Sequence, residues 1–576
     1  MSIVLKKNSQ KKGIFDLKIL GIDEINNSKD YILLDIYKDN QNNKNRTNHI
    51  FKYFDESLNS LYLELNQINE INLSKKFWKL LIGPWLIKFI EFYYDKYLIL
   101  KKIPSKKKVF INQSRYNFLY KTFFDTWDEF INEDFICESL IEISKILKLK
   151  NIFEIKKIKK GNLRINYNDE RDIKIKNYLK KRIRDMNFYL TKKRCYKRKV
   201  FNMNLPLLPS ELEIISDRNN NLKDFLFNSI KIPLDLNFKY NHKIREKKLV
   251  TKKHDEFSLI LSKIILKKIP IEYFENFKIY FNHFKKYTEK YLCDIILVRS
   301  PLEPSTKIRY FNAISSELNQ SKIFGFQEGG NGKLFHQFYY EKYNLIGCDN
   351  YIQWSSRRIQ KSTINFYCTK TFWLRDYNIN KNNKILVVLG SMRKSFFSYF
   401  EGNLPNFPKS QIQYLSKLLN YLDNQQRITL RFHKDFGYGE NQHFNKFFPN
   451  IKKSNRSGDN YFFYNLLSQY SLKVFTSDYT ANVQSLLINH PTIFLWDKKV
   501  LSNNETYDDI YDLLLKRNIL FYDPIKCSKF INNLSSYGKI HNWWFDAGTQ
   551  EAKDKYLATI CRVNKNIKNS FRKLLN

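Results

Sequence analysis

A short polar turn separates two apolar, strand-like segments near the end of the sequence. The turn, Ser477 to Asn482, lies where a predicted strand ends and a predicted helix begins. Unpaired backbone N–H groups and the positive end of the helix dipole face the crevice at such a junction, so the junction favours an anionic ligand. We therefore predict a phosphate-binding turn formed by Tyr479, Thr480 and Asn482, with Asp478 orienting the turn.

Cationic side chains are predicted at two further strand ends. Arg431 and His433 stand at alternate positions of an apolar strand, so they point to the same side, and Lys434 follows them. Ser391 and Arg393 directly follow another apolar strand. These side chains suit a phosphate or carboxylate partner. The alternatives are an ion pair of Arg431 with a neighbouring carboxylate, an interior histidine at position 433, and helix capping by the serine.

A glycine-rich loop at 328–333 follows a predicted strand and precedes a predicted helix. It fits neither the phosphate loop of nucleotide hydrolases nor the dinucleotide fingerprint, because Leu334 and Phe335 stand where those motifs need other residues. Glu328 and His336 flank the loop and are candidates for a general base. A tight turn that needs positive φ is the alternative to a ligand-contact loop. The predicted loop contacts are Gly329, Gly330, Asn331 and Gly332.

Several other catalytic signatures are missing from the sequence. There is no D-x-D pair, no G-x-S-x-G elbow and no H-E-x-x-H motif, which disfavours metal-dependent phosphate chemistry and hydrolysis. The 7 Cys and 9 His residues are scattered without a zinc-like cluster. We predict no metal site and no cofactor.

The chain is strongly basic, with 99 Lys and Arg against 57 Asp and Glu and a net charge of +42. Such a charge is typical of proteins that bind nucleic acid or an anionic membrane. The lysines are spread along the chain, however, in a composition typical of an AT-rich coding sequence, so nucleic acid is not the expected partner. The basic segment 148–199 is predicted to be solvated helix faces and loops, with an anion or membrane contact as the alternative.

The longest apolar run, residues 77–100, is interrupted by charged residues too often for a membrane-spanning helix. Its apolar positions recur at helical spacing, which predicts an amphipathic helix packed on the core, with a membrane-surface helix as the alternative. Gly83-Pro84 is predicted to start or kink this helix. The amino terminus lacks the apolar core of a signal peptide, so a cytoplasmic protein is expected.

From residue 291 onwards, apolar strands alternate with helices. Continuous apolar strands of this kind indicate parallel sheets covered on both faces. The expected fold class is therefore α/β, with two Rossmann-like doubly wound domains facing a cleft and helical additions in the N-terminal third.

Domain boundaries follow from the polar run DYNINKNNK and from the late aromatic element. We expect an acceptor-side domain over residues 1–375, with a helical region at about 60–150 and a Rossmann-like part at about 290–345. A donor domain is expected over 376–548. The helix of 549–576 is expected to pack back on the N-terminal half.

In these segments the chain resembles a family of bacterial surface-polysaccharide transferases with the GT-B glycosyltransferase fold, similar to capsule-biosynthesis transferases. The matching segments span about 75 to 560 and are short: the helix with Trp78 and Gly83-Pro84-Trp85, the turn at 327–330, the strand end at 431–437, the turn at 477–479 and Trp543-Trp544. The resemblance implies a nucleotide-activated donor in the C-terminal half and an acceptor in the N-terminal half. The family turn has His where Glu328 stands here.

The expected function is therefore metal-independent transfer of a sugar, or of a polyol-phosphate unit, from a nucleotide sugar to a glycan or lipid-linked glycan acceptor. Glu328 or His336 would deprotonate the acceptor, and the cationic strand ends would stabilise the leaving phosphate. Peripheral contact with the anionic inner face of the plasma membrane is a further expectation. The alternatives are a basic nucleic-acid-binding protein and a non-catalytic GT-B-like scaffold of envelope biosynthesis.

Overall fold

The structure of the protein is a computed structural model. The residues that it describes are 2–7, 14–20, 31–33, 40–112, 120, 122–123, 130, 132–155, 200–202, 241–250, 255–290, 292–327, 329, 341–357, 360–369, 378–390, 407–432, 440–454, 460–477, 480–498, 507–564, 570–571 and 573–574. Within these residues the strands form three sheets.

The first sheet is mixed and belongs to the N-terminal third of the chain. Its strands are β1 (Ser2–Lys7), β2 (Ile14–Leu20), β3 (Tyr31–Leu33), β4 (Lys108–Asn112) and β5 (Ile152–Ile155). They lie in the order β3-β1-β2-β4-β5, with antiparallel pairing of β1 to β2 and β3 and parallel pairing elsewhere. The sequence patterns do not predict this sheet, because helices separate β3 from β4 and β4 from β5 along the chain.

Helices accompany this sheet and precede the second one. They are α1 (Asn40–Asn69), α2 (Lys75–Lys102), α3 (Glu133–Ile146), α4 (His242–Arg245), α5 (Glu256–Lys268), a 3₁₀ turn (Ile271–Tyr273) and α6 (Phe277–Lys290).

Helix α2 differs from the amphipathic helix that the spacing predicts, because side chains all around it are buried. Ser74 caps its start by accepting a hydrogen bond from the Phe77 N–H, so Gly83-Pro84 does not start it and lies inside. A Cβ on Gly83 would come 2.7 Å from Ile346 Cγ2. The glycine therefore allows the close approach of another chain segment. No described helix is both long and apolar enough to cross a bilayer.

The second sheet is wholly parallel. Its strands are β6 (Val200–Asn202), β7 (Ile295–Val298), β8 (Lys322–Phe326), β9 (Asn350–Gln353) and β10 (Thr363–Asn365), in the order β10-β9-β8-β7-β6. Helix α7 (Thr306–Leu318) connects β7 to β8. Strand β7 is buried along its whole length, which explains its continuous apolar sequence.

The third sheet is also parallel and has six strands. They are β11 (Ile385–Val388), β12 (Ile428–Arg431), β13 (Lys452–Ser454), β14 (Leu472–Phe475), β15 (Thr492–Leu495) and β16 (Leu520–Phe521), in the order β13-β12-β11-β14-β15-β16. The sheet's helices are α8 (Phe407–Asn420), a 3₁₀ turn (Gln425–Arg427), α9 (Glu440–Phe447), α10 (Asn460–Ser468), α11 (Thr480–Leu487) and α12 (Asp508–Lys516). The chain continues through α13 (Pro524–Asn533), α14 (Tyr537–Trp544) and α15 (Ala547–Ile560).

The two parallel sheets and the helical N-terminal region confirm the predicted α/β fold class. The reversal of strand order around β11 and β14 is the switch point of a doubly wound sheet. The domain boundaries stay predictions. After α15, the Arg562 N–H donates to the Trp354 carbonyl, and the Arg562 carbonyl accepts from the Cys368 N–H.

Gly347 offers a test of packing beside the second sheet. A Cβ at this position would lie 1.8 Å from the Pro301 carbonyl oxygen, which belongs to backbone and cannot rotate away. We expect Gly347→Ala to lower the free energy of unfolding by about 2 kcal/mol or more. The matched control is Gly538→Ala, because the nearest atom to a Cβ there is Ser536 Oγ at 4.0 Å. Urea unfolding measures both, and equal stabilities would show that the Pro301 backbone yields without cost.

Candidate functional site

The carboxyl ends of the third sheet's strands meet at one edge, and Gln411 of α8 is fixed there. The Gly390 N–H, just after β11, donates to Gln411 Oε1 (2.7 Å) and to Thr476 Oγ1 (3.2 Å). Gln411 Nε2 donates back to the Gly390 carbonyl (3.1 Å). Thr476 Oγ1 also donates to Gln411 Oε1 (2.5 Å). These buried bonds attach Gln411, near the start of α8, to the ends of two adjacent strands, β11 and β14.

Gly390 leaves no room for a side chain at this edge. A Cβ on Gly390 would lie 2.5 Å from Ser477 Oγ and 2.9 Å from Phe407 Cζ. The backbone after β11 therefore runs directly against the first residue of the predicted phosphate-binding turn. Gly390 and the start of the Ser477 turn are thus neighbours.

Helix α11 begins at Thr480, so the last three residues of the predicted turn, Thr480 to Asn482, belong to the first turn of the helix. Thr480 is half-buried, whereas Asn482 is fully buried and its Oδ1 accepts a hydrogen bond from the Val483 N–H (2.9 Å). Of the two, Thr480 is the side chain that solvent reaches. The helix start lies at the sheet edge where an anion would approach, and the positive end of the helix dipole favours negative charge there.

Arg431 is the last residue of β12 and is held in place by an aromatic ring. Its side chain is 8% exposed, and its guanidinium carbon lies 4.3 Å from the centroid of the Phe463 ring on α10. Its carbonyl accepts from the Leu389 N–H (3.0 Å). A guanidinium stacked in this way keeps its charge in a fixed position.

A second connection at this edge was not predicted from the sequence. Ser410 Oγ on α8 donates to Asp497 Oδ2, just after β15. Burial raises the pKa of Tyr414 to about 12, and the neighbouring Asp497 carboxylate adds to this rise. Asp497 and Gln411 thus anchor α8 at three strand ends. The available signal was a carboxylate placed immediately after an apolar strand.

Gln327 fixes the start of the glycine-rich loop at the carboxyl edge of the second sheet. Its Nε2 donates to the Gly329 carbonyl (2.5 Å), and its Oε1 accepts from the Trp354 N–H (2.8 Å). Its own N–H donates to the Ile352 carbonyl (2.8 Å). The loop therefore leaves β8 from a position tied to the end of β9.

Most of the predicted site residues lie outside the described residues, and they stay predictions. They are Glu328, Gly330, Asn331, Gly332, His336, Ser391, Arg393, His433, Lys434, Asp478 and Tyr479. Among the described residues, no group of three or more His, Cys, Asp or Glu side chains could hold a metal ion.

A buried pair of bases lies in the third sheet, towards the amino end of β14. Lys473 Nζ is 3.0 Å from His490 Nδ1, and both residues are fully buried. Burial lowers the pKa of Lys473 well below its usual range. The folded state therefore favours the neutral amine.

Lys473→Met is expected to raise the free energy of unfolding by about 1–3 kcal/mol at neutral pH, because it removes a buried ionisable group. Between the lowered pKa in the folded state and the ordinary lysine value of about 10.4, the unfolded chain binds more protons, so wild-type stability rises with pH. The advantage of methionine should therefore shrink towards pH 10. Urea unfolding across this range measures it, with Lys286→Met at an exposed lysine as the control. A constant difference would show that Lys473 is not the titrating group.

The sheets, their crossover helices and the polar groups at the carboxyl edges define an α/β protein of the kind that binds ligands at such edges. The chain belongs to the LIC12162 family of transferases, whose family model matches residues 23–575. The predicted membership of a transferase family is therefore confirmed. No curated protein matches the chain.

Solved structures give only distant likenesses. S. aureus MnaA with UDP is 11% identical, with 52% of this chain and 84% of that chain covered and a TM-score of 0.32. The structure described as trehalose-6-phosphate from E. coli bound with UDP-2-fluoro glucose is 8% identical, with 52% of this chain and 77% of that chain covered and a TM-score of 0.32. MurG from Acinetobacter baumannii is 9% identical, with 52% of this chain and 79% of that chain covered and a TM-score of 0.29. Scores this low carry no argument about the site or the substrate.

Proposed function

We propose that the protein is a GT-B-like glycosyltransferase that moves a sugar, or a polyol-phosphate unit, from a nucleotide-activated donor to a glycan or lipid-linked glycan precursor of a bacterial surface polysaccharide. Membership of a transferase family supports the transfer. The observation that carries the donor assignment is the close approach of Gly390 to Ser477. The Gly390 backbone and the Ser477 side chain meet there, just before the start of α11.

The donor's diphosphate would lie against this backbone, where main-chain N–H groups and the dipole of α11 attract negative charge. Arg431 would stabilise the charge that develops on the leaving nucleotide. Its stacking on Phe463 supports this role, because a fixed cation needs no reorganisation during the reaction. Arg393 and Lys434 are proposed as further cations, so the reaction is proposed to need neither a metal nor a cofactor.

The acceptor would lie at the carboxyl edge of the second sheet, beside the glycine-rich loop. Gln327 supports this placement by tying the loop to two strand ends. Glu328 or His336 would take the proton of the attacking hydroxyl. Acceptors attached to lipid would bring the protein to the inner face of the plasma membrane.

A thermal-shift panel of UDP-, GDP-, CDP- and dTDP-linked sugars tests this proposal. One nucleotide class should raise the melting temperature, since a ligand at 100 times its Kd adds about 2.7 kcal/mol. The free sugars of the panel serve as controls and should have no effect. If no nucleotide stabilises the chain, the proposal fails and the non-catalytic scaffold is favoured. Strongly salt-dependent retention of RNA or DNA would instead favour nucleic-acid binding.

A further inference from the structure

Helix α7 carries polar side chains that are buried without partners. Arg309 and Asn312 are both 0% exposed. The three guanidinium nitrogens of Arg309 and both amide atoms of Asn312 make no hydrogen bond. The hydroxyls of Ser315 and Ser316, on the following turn, are buried and unbonded as well.

The surroundings of Arg309 do not compensate its charge. The helix packs against α2 and α6, and Arg309 Nη1 lies 3.0 Å from the position of a Cβ on Gly347. Glu303 attracts the guanidinium electrostatically but does not bond to it. Tyr273 and Cys348 are neutral at pH 7, because burial raises the pKa of both side chains. Burial lowers the pKa of Arg309 to about 10, so the group stays charged at neutral pH.

An isolated buried cation is costly, and each unbonded buried polar group costs about 1–3 kcal/mol more. Folded proteins have a net stability of only about 5–15 kcal/mol. A partner for these groups is therefore required. Water could satisfy hydrogen bonds, but it would leave the positive charge of Arg309 uncompensated.

The unbonded groups indicate the chemistry of the partner. Arg309 offers a planar fork of N–H donors, and Asn312 adds two more. Donors thus outnumber acceptors around a positive charge, which matches a negatively charged group with several oxygen atoms. A guanidinium fork pairs with phosphate or carboxylate through two parallel hydrogen bonds.

We propose that Arg309 and Asn312 bind a buried oxyanion, a phosphate or a carboxylate group, beneath the second sheet's loops. Arg309 lies in the first turn of α7, just after the loop that follows β7. The site is therefore on the second sheet and separate from the donor edge of the third sheet. It stands whether or not the protein transfers a sugar. Because the guanidinium is closed off from solvent, the oxyanion is enclosed during folding or enters when α7 moves locally.

The test compares inorganic phosphate, acetate and chloride at constant ionic strength, using the full-length protein refolded from urea in each salt. Phosphate or acetate should raise the melting temperature saturably above the chloride value, and the better of the two identifies the oxyanion class. Arg309→Met should weaken the apparent affinity at least tenfold. The matched control is Arg357→Met, an arginine that is 37% exposed and paired with Asp509, which should keep the full response.

If the Arg309→Met protein does not fold, Asn312→Leu replaces it in the same test. Asn312→Leu should also weaken the rise in melting temperature with phosphate or acetate. Equal melting temperatures of the wild type in all three salts would overturn the proposal and leave enclosed water as the partner. A response that survives both substitutions would overturn it as well, because the oxyanion would then bind elsewhere. Nucleotide-induced stabilisation should be unchanged by Asn312→Leu, which separates this site from the donor site.

Discussion

The Arg431→Met variant is expected to lose at least about 100-fold in the rate of transfer, with little change in thermal stability. Removing one preorganised charge from a site that stabilises a leaving group typically costs a factor of about 10²–10³. Methionine keeps an unbranched apolar stem that still packs on Phe463. Alanine is a poorer probe, because Arg431 is only 8% exposed and truncation would leave a cavity.

The rate is measured as release of nucleotide from the donor that the thermal-shift panel identifies. Arg427→Met is the matched control, because Arg427 lies just before the other end of β12, where it donates to the carbonyls of Asn383 and Leu534. Arg427→Met should lower the free energy of unfolding and leave the rate of transfer unchanged. Normal transfer by Arg431→Met would place the leaving phosphate elsewhere and remove Arg431 from the mechanism.

The parallel sheets could be predicted from the sequence, because strands that are buried on both faces have continuous apolar sequences. Strands such as β7 and β11 lie inside continuous apolar runs, and the helices between the strands have the usual spacing. The junction of strand and helix at Ser477 to Asn482 could be predicted for the same reason, whereas its binding of an anion stays a prediction. Both the strands and the junction depend on residues that are close together in the sequence.

The bonds that fix the site could not be predicted, because they join residues far apart in sequence. Gln411 meets Thr476 and Gly390 only after the strands have paired. Asp497 meets Ser410 across the same edge. A single sequence contains no signal for such pairs beyond the residue types themselves. The mixed sheet of β1–β5 was missed for a related reason, since β4 pairs with β2, which precedes it by two helices.

The charged residues inside α2 show the same limit, because the charge spacing alone predicts an exposed helix face. Lys88 and Glu91 are instead buried, with Nζ and Oε2 3.1 Å apart and exposures of 1% and 0%. The Tyr343 hydroxyl donates to Glu91 Oε1, and Lys88 Nζ lies 5.5 Å from the centre of the Tyr343 ring. This cluster connects α2 to the segment that leads into β9.

Glu91→Leu is expected to lower the free energy of unfolding by about 3–5 kcal/mol, because Lys88 would remain charged and buried without its carboxylate. The double variant Lys88→Met/Glu91→Leu should recover most of this loss, since it removes both charges and keeps the volume. Urea unfolding of the wild type, both single variants and the double variant gives the coupling between the two residues.

The exposed pair Lys101 and Glu256, with exposures of 48% and 53%, is the control for this cycle. Glu256→Gln should cost less than about 1 kcal/mol, because solvent screens the charge that remains. If Glu91→Leu costs as little as Glu256→Gln, water reaches Lys88 and the pair is not part of the core. If the double variant stays as unstable as Glu91→Leu, the Tyr343 hydroxyl, and not the charge of Lys88, is the group that depends on Glu91.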